Sequence, residues 1–220
     1  MRETGNGGHL FKIFDQHLLL LPQKAIYWKE KETLIVADVH FGKVGHFRKA
    51  GIAIPKALEQ EDLAMLSDLL NQLKPKALIF LGDLFHSELN SDWQWLELWR
   101  DLYKNIKMTL VLGNHDVLDA VHYLNAKFKV VNRLEYGPFL FTHEPSDAKG
   151  ENSLYNIAGH IHPGVKLRGK GRSNLTLSCF YFSSNAAILP AFGKFTGHFR
   201  VECSQEDKIF GILHDKVICL

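Results

Sequence analysis

Cysteine is scarce in this chain of 220 residues: there are three, Cys179, Cys203 and Cys219, far apart and odd in number. That count argues against a disulfide framework and against a cysteine-rich structural zinc site. Long apolar runs are missing too. None reaches the ~18 residues a membrane-spanning helix needs, so no membrane association is expected. Residues 1–8 are polar and glycine-rich and lack the apolar stretch of a secretory leader. They read as a flexible terminus, and the cytoplasm as the compartment. No repeat, low-complexity tract or linker-like stretch interrupts the sequence, and its length suits a single α/β domain over 1–220. One absence is local. Residues 152–201 contain no Asp or Glu, yet hold Lys166, Arg168, Lys170, Arg172, Lys194 and Arg200. With a formal net charge of +2 overall, that segment carries +6 and the remainder −4. Such a segment suits a polyanionic partner, and equally a solvated basic hairpin.

Histidine, by contrast, is plentiful: twelve, of which His40, His86, His115, His143, His160 and His162 fall in or beside an ordered series. The series is Asp38-Val39-His40, Gly82-Asp83, Gly113-Asn114-His115-Asp116, His143 and Gly159-His160-Ile161-His162. Each member stands at the end of an apolar run. Runs at 33–37, 77–81 and 108–112 are apolar nearly throughout, as strands covered on both faces should be. Pro55 opens a helix predicted to reach residue 73, with leucines at three-to-four spacing. Ser91 and Gln94 read as a capping box for a helix over 91–105, and a short helix is predicted over 117–124. Further strands are predicted at 10–14, 24–28, 139–142, 154–158, 165–167, 175–179, 209–213 and 216–219. Helices alternate with strands first and strands dominate later, which implies two packed sheets flanked by helices. In open α/β sheets ligands gather at the carboxyl ends of strands, where all five motifs lie. Trp95 and Trp99, four apart on a predicted helix, read as one face used for core or interface packing.

The residue types point to metal chemistry. Asp38 and His40, two apart on extended chain, share a face, and His160 and His162 repeat that geometry. A carboxylate such as Asp83 can hold one ion with each oxygen, and Asn114 adds a neutral oxygen ligand. His115 is then left to face a substrate. Oxygen and nitrogen donors without thiolate suit Mn²⁺, Zn²⁺ or iron better than Mg²⁺. Two adjacent divalent ions with a bridging hydroxide form a device for hydrolysing phosphate esters. In that scheme His115 protonates the leaving oxygen, with Asp116 or His86 orienting it. Lys43, His46, Arg48 and, from the basic segment, Arg168 are expected to hold the phosphates of a polyanion.

Taken together, the five motifs resemble those of the calcineurin-like metallophosphoesterase superfamily. A narrower resemblance, to DNA-ligase-associated metallophosphoesterases of the PdeM type, is carried by 37–43, His46-Phe47-Arg48, 82–87 and the late run 189–197. The resemblance implies a four-layer αββα sandwich of two mixed sheets flanked by helices. It implies one ion on Asp38, His40, Asp83 and His162 and a second on Asp83, Asn114, His143 and His160, with manganese foremost. It also implies a phosphodiesterase or single-strand DNA endonuclease tied to DNA repair, alongside ligase, helicase or nuclease partners. Glu144, where many members have Gly, departs from the pattern. Two other readings stay open: a phosphodiesterase for small or cyclic nucleotides, and an inactive metal-stabilised module that binds DNA or a repair partner.

Overall fold

A computed structural model describes residues 7–43, 61–146, 154–169, 174–194, 196–201 and 204–220; of Arg168 it describes the backbone alone. The first sheet joins seven strands in chain order: β1 (His9–Ile13), β2 (Gln16–Leu21), β3 (Ala25–Trp28), β4 (Thr33–Ala37), β5 (Ala77–Leu81), β6 (Lys107–Val111) and β7 (Lys129–Val131). Pairing is antiparallel from β1 to β4 and parallel from β4 to β7. The parallel crossovers carry α1 (Glu61–Leu73), α2 (Ser91–Leu102) and α3 (Ala120–Asn125).

The second sheet comprises β8 (Leu134–Tyr136), β9 (Phe139–Phe141), β10 (Tyr155–Ala158), β11 (Pro163–Arg168), β12 (Asn174–Phe182), β13 (Ala186–Ile188) and β14 (Phe199–Arg200), with β15 (Lys208–Leu213) and β16 (Lys216–Cys219). Its order is β14-β11-β12-β13-β10-β9-β8, and β15 joins through β12 and carries β16. It too is mixed, since β10 runs parallel to β9 and β13 while β11 and β12 are antiparallel.

Side-chain alternation explains the layering. Leu34, Val36, Leu78, Phe80 and Leu110 face the helices, meeting Leu66 and Leu70 of α1 and Trp93 and Leu96 of α2. Ile35, Ala37, Ile79, Leu81 and Val111 face the second sheet, meeting Phe139, Phe141, Ile157, Phe180 and Phe182. Each large apolar side chain so buried contributes roughly 1.5–3 kcal/mol. The two packed mixed sheets match the expected architecture. All three helices pack on the first sheet, so the layers among the described residues run helix, sheet, sheet.

Local expectations need correction. Asn90, not Ser91, caps α2: its Oδ1 accepts from the amides of Asp92 at 2.8 Å and Trp93 at 3.3 Å. Both residue types can cap, and extended backbone at Asn90 decides which does. Trp95 and Trp99 do not share an environment; Trp99 is buried and Trp95 half exposed. The buried stripe of α2 runs Trp93, Leu96, Trp99. Of the terminus expected to be flexible, residues 1–6 lie outside the described residues; the Val217 amide donates to the Gly7 carbonyl at 2.9 Å. The predicted helix start at Pro55 lies outside the described residues, and so does Cys203. Cys179 is buried and Cys219 exposed, both as thiols.

Candidate metal centre

Asp38 follows β4, Asp83 follows β5, Asn114 follows β6, His143 follows β9, and His160 and His162 lie between β10 and β11. Two sheets therefore deliver their strand ends to one place. The loops after β4 and β5 run side by side: the Asp38 amide donates to the Gly82 carbonyl at 3.3 Å, and the His40 amide to the Asp83 carbonyl at 2.8 Å. The backbone there is strained. Asp38, His40, Asp83, His160 and His162 all have φ between 50° and 65°. For a residue other than glycine this region costs roughly 1–2 kcal/mol, and it persists where the surroundings over-determine it, commonly at functional sites. Gly82 also has positive φ, 75°, and a Cβ there would lie 2.1 Å from His143 Nδ1.

Two clusters of donor atoms result. In the first, ligand atoms of Asp38, His40 and His162 lie within 4.8 Å of one another. Asp38 is fully buried; Oδ2 accepts from the His160 amide at 2.9 Å, and Oδ1 stands 3.5 Å from His162 Nε2. Asp38 Oδ1, both ring nitrogens of His40, and His162 Nε2 are buried without a hydrogen bond. Burial above all, then the charges of Lys43, His86, His162 and His115, pushes the His40 imidazole down to about 2, so the ring is neutral. Buried lone pairs with no proton to meet are costly, and a cation among them removes that cost.

The second cluster surrounds His143. Its Nδ1 is 3.0 Å from the Leu81 carbonyl, which can only accept, so Nδ1 carries a proton and Nε2 of the neutral ring offers a lone pair. Nε2 nevertheless faces Asn114 Oδ1 at 2.9 Å and His160 Nδ1 at 3.0 Å. In that neutral form three electron-pair donors, Nε2, Oδ1 and a ring nitrogen of His160, converge on one place, as ligands of a single cation do. Asp83 spans the clusters, with Oδ2 3.8 Å from His40 Nε2 and Oδ1 3.5 Å from His143 Nε2. Asp38, Asp83 and His143 form an overlapping set within 4.8 Å. These donors fit divalent cations. His115 stands beside the clusters, exposed, its ring 4.2 Å from that of His86 and 5.7 Å from that of His40.

A family model of calcineurin-like phosphoesterases matches residues 32–186. The chain belongs to that family. The nuclease MPE of Pseudomonas putida, a solved structure, is 32% identical over 97% of this chain and 100% of its own, with a TM-score of 0.82. YfcE, a phosphoesterase from E. coli, is 13% identical over 84% of this chain and 96% of its own, with a TM-score of 0.41. No curated protein matches. The protein is thus a metal-dependent phosphoesterase, and its family implies divalent ions.

Other expected residues of this phosphoesterase fall differently. Among the described residues, the hydrogen bonds of the Asp116 carboxylate go to partners other than the His115 ring. Its Oδ2 accepts from the amides of Asp83 and Gly113 at 2.9 Å, and its Oδ1 from the amides of Leu84 and Phe85 and the Tyr123 hydroxyl at 2.9–3.2 Å. It fastens the loops that bear Asp83 and Asn114. Burial pushes its carboxyl up to about 6 although its amide donors pull the other way, and burial, then Asp116, raises the Tyr123 phenol. Nothing in the sequence singles out Tyr123. Lys43 is half-buried beside the cluster; burial lowers its ammonium, while Asp83 and Asp38 oppose that. His46 and Arg48 lie outside the described residues, and Arg168 is placed on β11. Glu144 is exposed, its Oε1 3.9 Å from His160 Nε2. The late run braces the first motif: the Phe192 amide donates to the Ala37 carbonyl at 2.8 Å, and the Gly193 amide to that of Asp38 at 3.1 Å.

Proposed function

We propose that this phosphoesterase is a two-metal phosphodiesterase acting on single-stranded DNA or a related polynucleotide, in the setting of DNA repair. The observation that carries the reading is Asp83, one carboxylate oxygen turned toward each of two neighbouring donor clusters. Asp38, His40, Asp83 and His162 would hold one ion, and Asp83, Asn114, His143 and His160 the other. Bound there, divalent ions lower the pKa of an attacking water and offset charge growing on phosphorus, with Mn²⁺ the ion proposed. His115, exposed beside His40, reaches toward substrate and carries the proton for the departing oxygen. The His86 ring against it takes the positioning role. Lys43 adds a cation next to the carboxylates, where a substrate phosphate would arrive. A diester of nucleic acid is favoured over a small nucleotide by the likeness to a protein described as a nuclease.

The test strips the protein of metal and restores Mn²⁺, Zn²⁺ or Mg²⁺. Each form is assayed on a chromogenic phosphodiester, a phosphomonoester, and single-stranded and duplex DNA. Mn²⁺-dependent hydrolysis of the diester and internal cleavage of single-stranded DNA are expected. Activity on the monoester alone would sink the nuclease reading, and no hydrolysis with any ion would favour a binding module.

A further inference from the structure

The strand that leaves the metal centre, β11, begins immediately after His162. Its register places Gly164 opposite Ser178 on one side and Arg200 on the other, and Lys166 opposite Thr176. Residues paired in this way share a face of a sheet, so Lys166, Arg200, Thr176 and Ser178 lie on one side of the β14–β11–β12 ribbon. That side is the inner one. Phe180 and Phe182 alternate in step with Ser178 and pack toward the first sheet. His198 is on it as well: a Cβ on Gly164 would lie 2.8 Å from that of His198, and the charge of His162, after burial and Lys24, helps lower the His198 imidazole. The opposite side carries Val165, Leu167, Leu175, Leu177 and Phe199.

Lys166, Thr176, His198 and Arg200 are exposed. Among the described residues neither Lys166 nor Arg200 has an ion-pair partner, and the segment 152–201 has no acid to compete for them. Lys166 is four residues beyond His162, at most about 13 Å along the chain if extended. That spacing along β11 suits a phosphate further along the same polynucleotide better than the one being cleaved. Thr176 and Ser178 add hydroxyls, which bind phosphate oxygen without reading a base.

We propose that the inner face of this ribbon is the track that holds a single-stranded polynucleotide beyond the scissile bond, with Lys166 and Arg200 each taking a backbone phosphate. The proposal rests on the polynucleotide reading above and adds a direction to it.

The test compares wild type with the double variant Lys166→Gln/Arg200→Gln, and with Lys107→Gln, an exposed cation at the far end of β6. A small chromogenic diester cannot span the track, so its hydrolysis stays unchanged in all three. On a single-stranded oligonucleotide the double variant shows a raised KM with kcat held. Its slope of log binding constant against log salt falls by about 1.4, at ~0.7 per phosphate contact. Lys107→Gln moves neither. If wild type cleaves DNA and the double variant has the same KM and slope, the track is wrong and the polynucleotide reading survives. An equal shift in Lys107→Gln would assign the effect to net charge and overturn the track. A wild-type enzyme that hydrolyses the small diester but not DNA overturns both.

Discussion

Replacing Asp38 by Asn makes the metal-free protein more stable and the metal-loaded enzyme useless. Asp38 is fully buried, and one of its oxygens has no hydrogen bond. Its ligand atom lies within 4.8 Å of that of Asp83. Two unit negative charges at that distance repel by about 3.5 kcal/mol at an effective dielectric constant of about 20. Lys43 offsets part of this, so about 2–3 kcal/mol remains. Asn keeps the shape, keeps an oxygen for the His160 amide, tolerates the positive φ of 52° and removes the charge. For a chain of this length 1 kcal/mol moves the midpoint by roughly 2–4 °C, so the stripped variant should melt roughly 4–12 °C above stripped wild type. Adding ion reverses the order. An ion at a hundred times its Kd stabilises by about 2.7 kcal/mol per site, and the variant has lost a ligand. The assay is thermal melting of both proteins at pH 8, first with chelator and then across a Mn²⁺ titration. A stripped variant that melts at or below stripped wild type refutes the idea that two carboxylates are held together for a cation.

Other outcomes follow from the same geometry. His115→Ala should lower kcat by about 10²–10⁴-fold with metal content unchanged by elemental analysis; intact turnover would remove His115 from the reaction. Gly82→Ala puts a Cβ 2.1 Å from His143 Nδ1 and should drive His143 off the Leu81 carbonyl. Lost bound ion and a depressed melting temperature are expected, and normal stoichiometry would count against it. Asp116→Asn leaves two of the converging amides facing an NH₂ group, at roughly 1–3 kcal/mol for each orphaned donor. Calorimetric titration should show weaker Mn²⁺ binding, while a structural bystander would bind as wild type does.

What could be read from the sequence had strong local signals. The strands β4, β5 and β6 are covered on both faces, so they print as unbroken apolar runs. Asp38, His40 and Asp83 at such ends are costly to bury without a purpose, which makes the series conspicuous. Asp116 belongs to the same series, but its role depends on amides of three separate segments turning inward, and no spacing encodes that. Trp95 and Trp99 differ by 40° around a helix, too little for spacing to assign one to solvent and one to the core. Of the four three-residue strands, β7, β8 and β13 are too short to display a period, and β9 is legible because Phe139–Phe141 is apolar and buried throughout. The pairing of β14 with β11 joins segments whose partnership rests on register alone.

The clasp between Gly193 and Asp38 bears on the order of assembly. By the time residue 162 has been made, a growing polypeptide already contains all seven proposed ligands. It still lacks the piece that clamps the end of β4, separated from it by more than 150 positions. Closing so large a loop comes late in folding. Ion uptake is therefore expected as a finishing step, a nascent chain stalled short of Phe192 holding the ingredients of the centre without the clasp that shapes it.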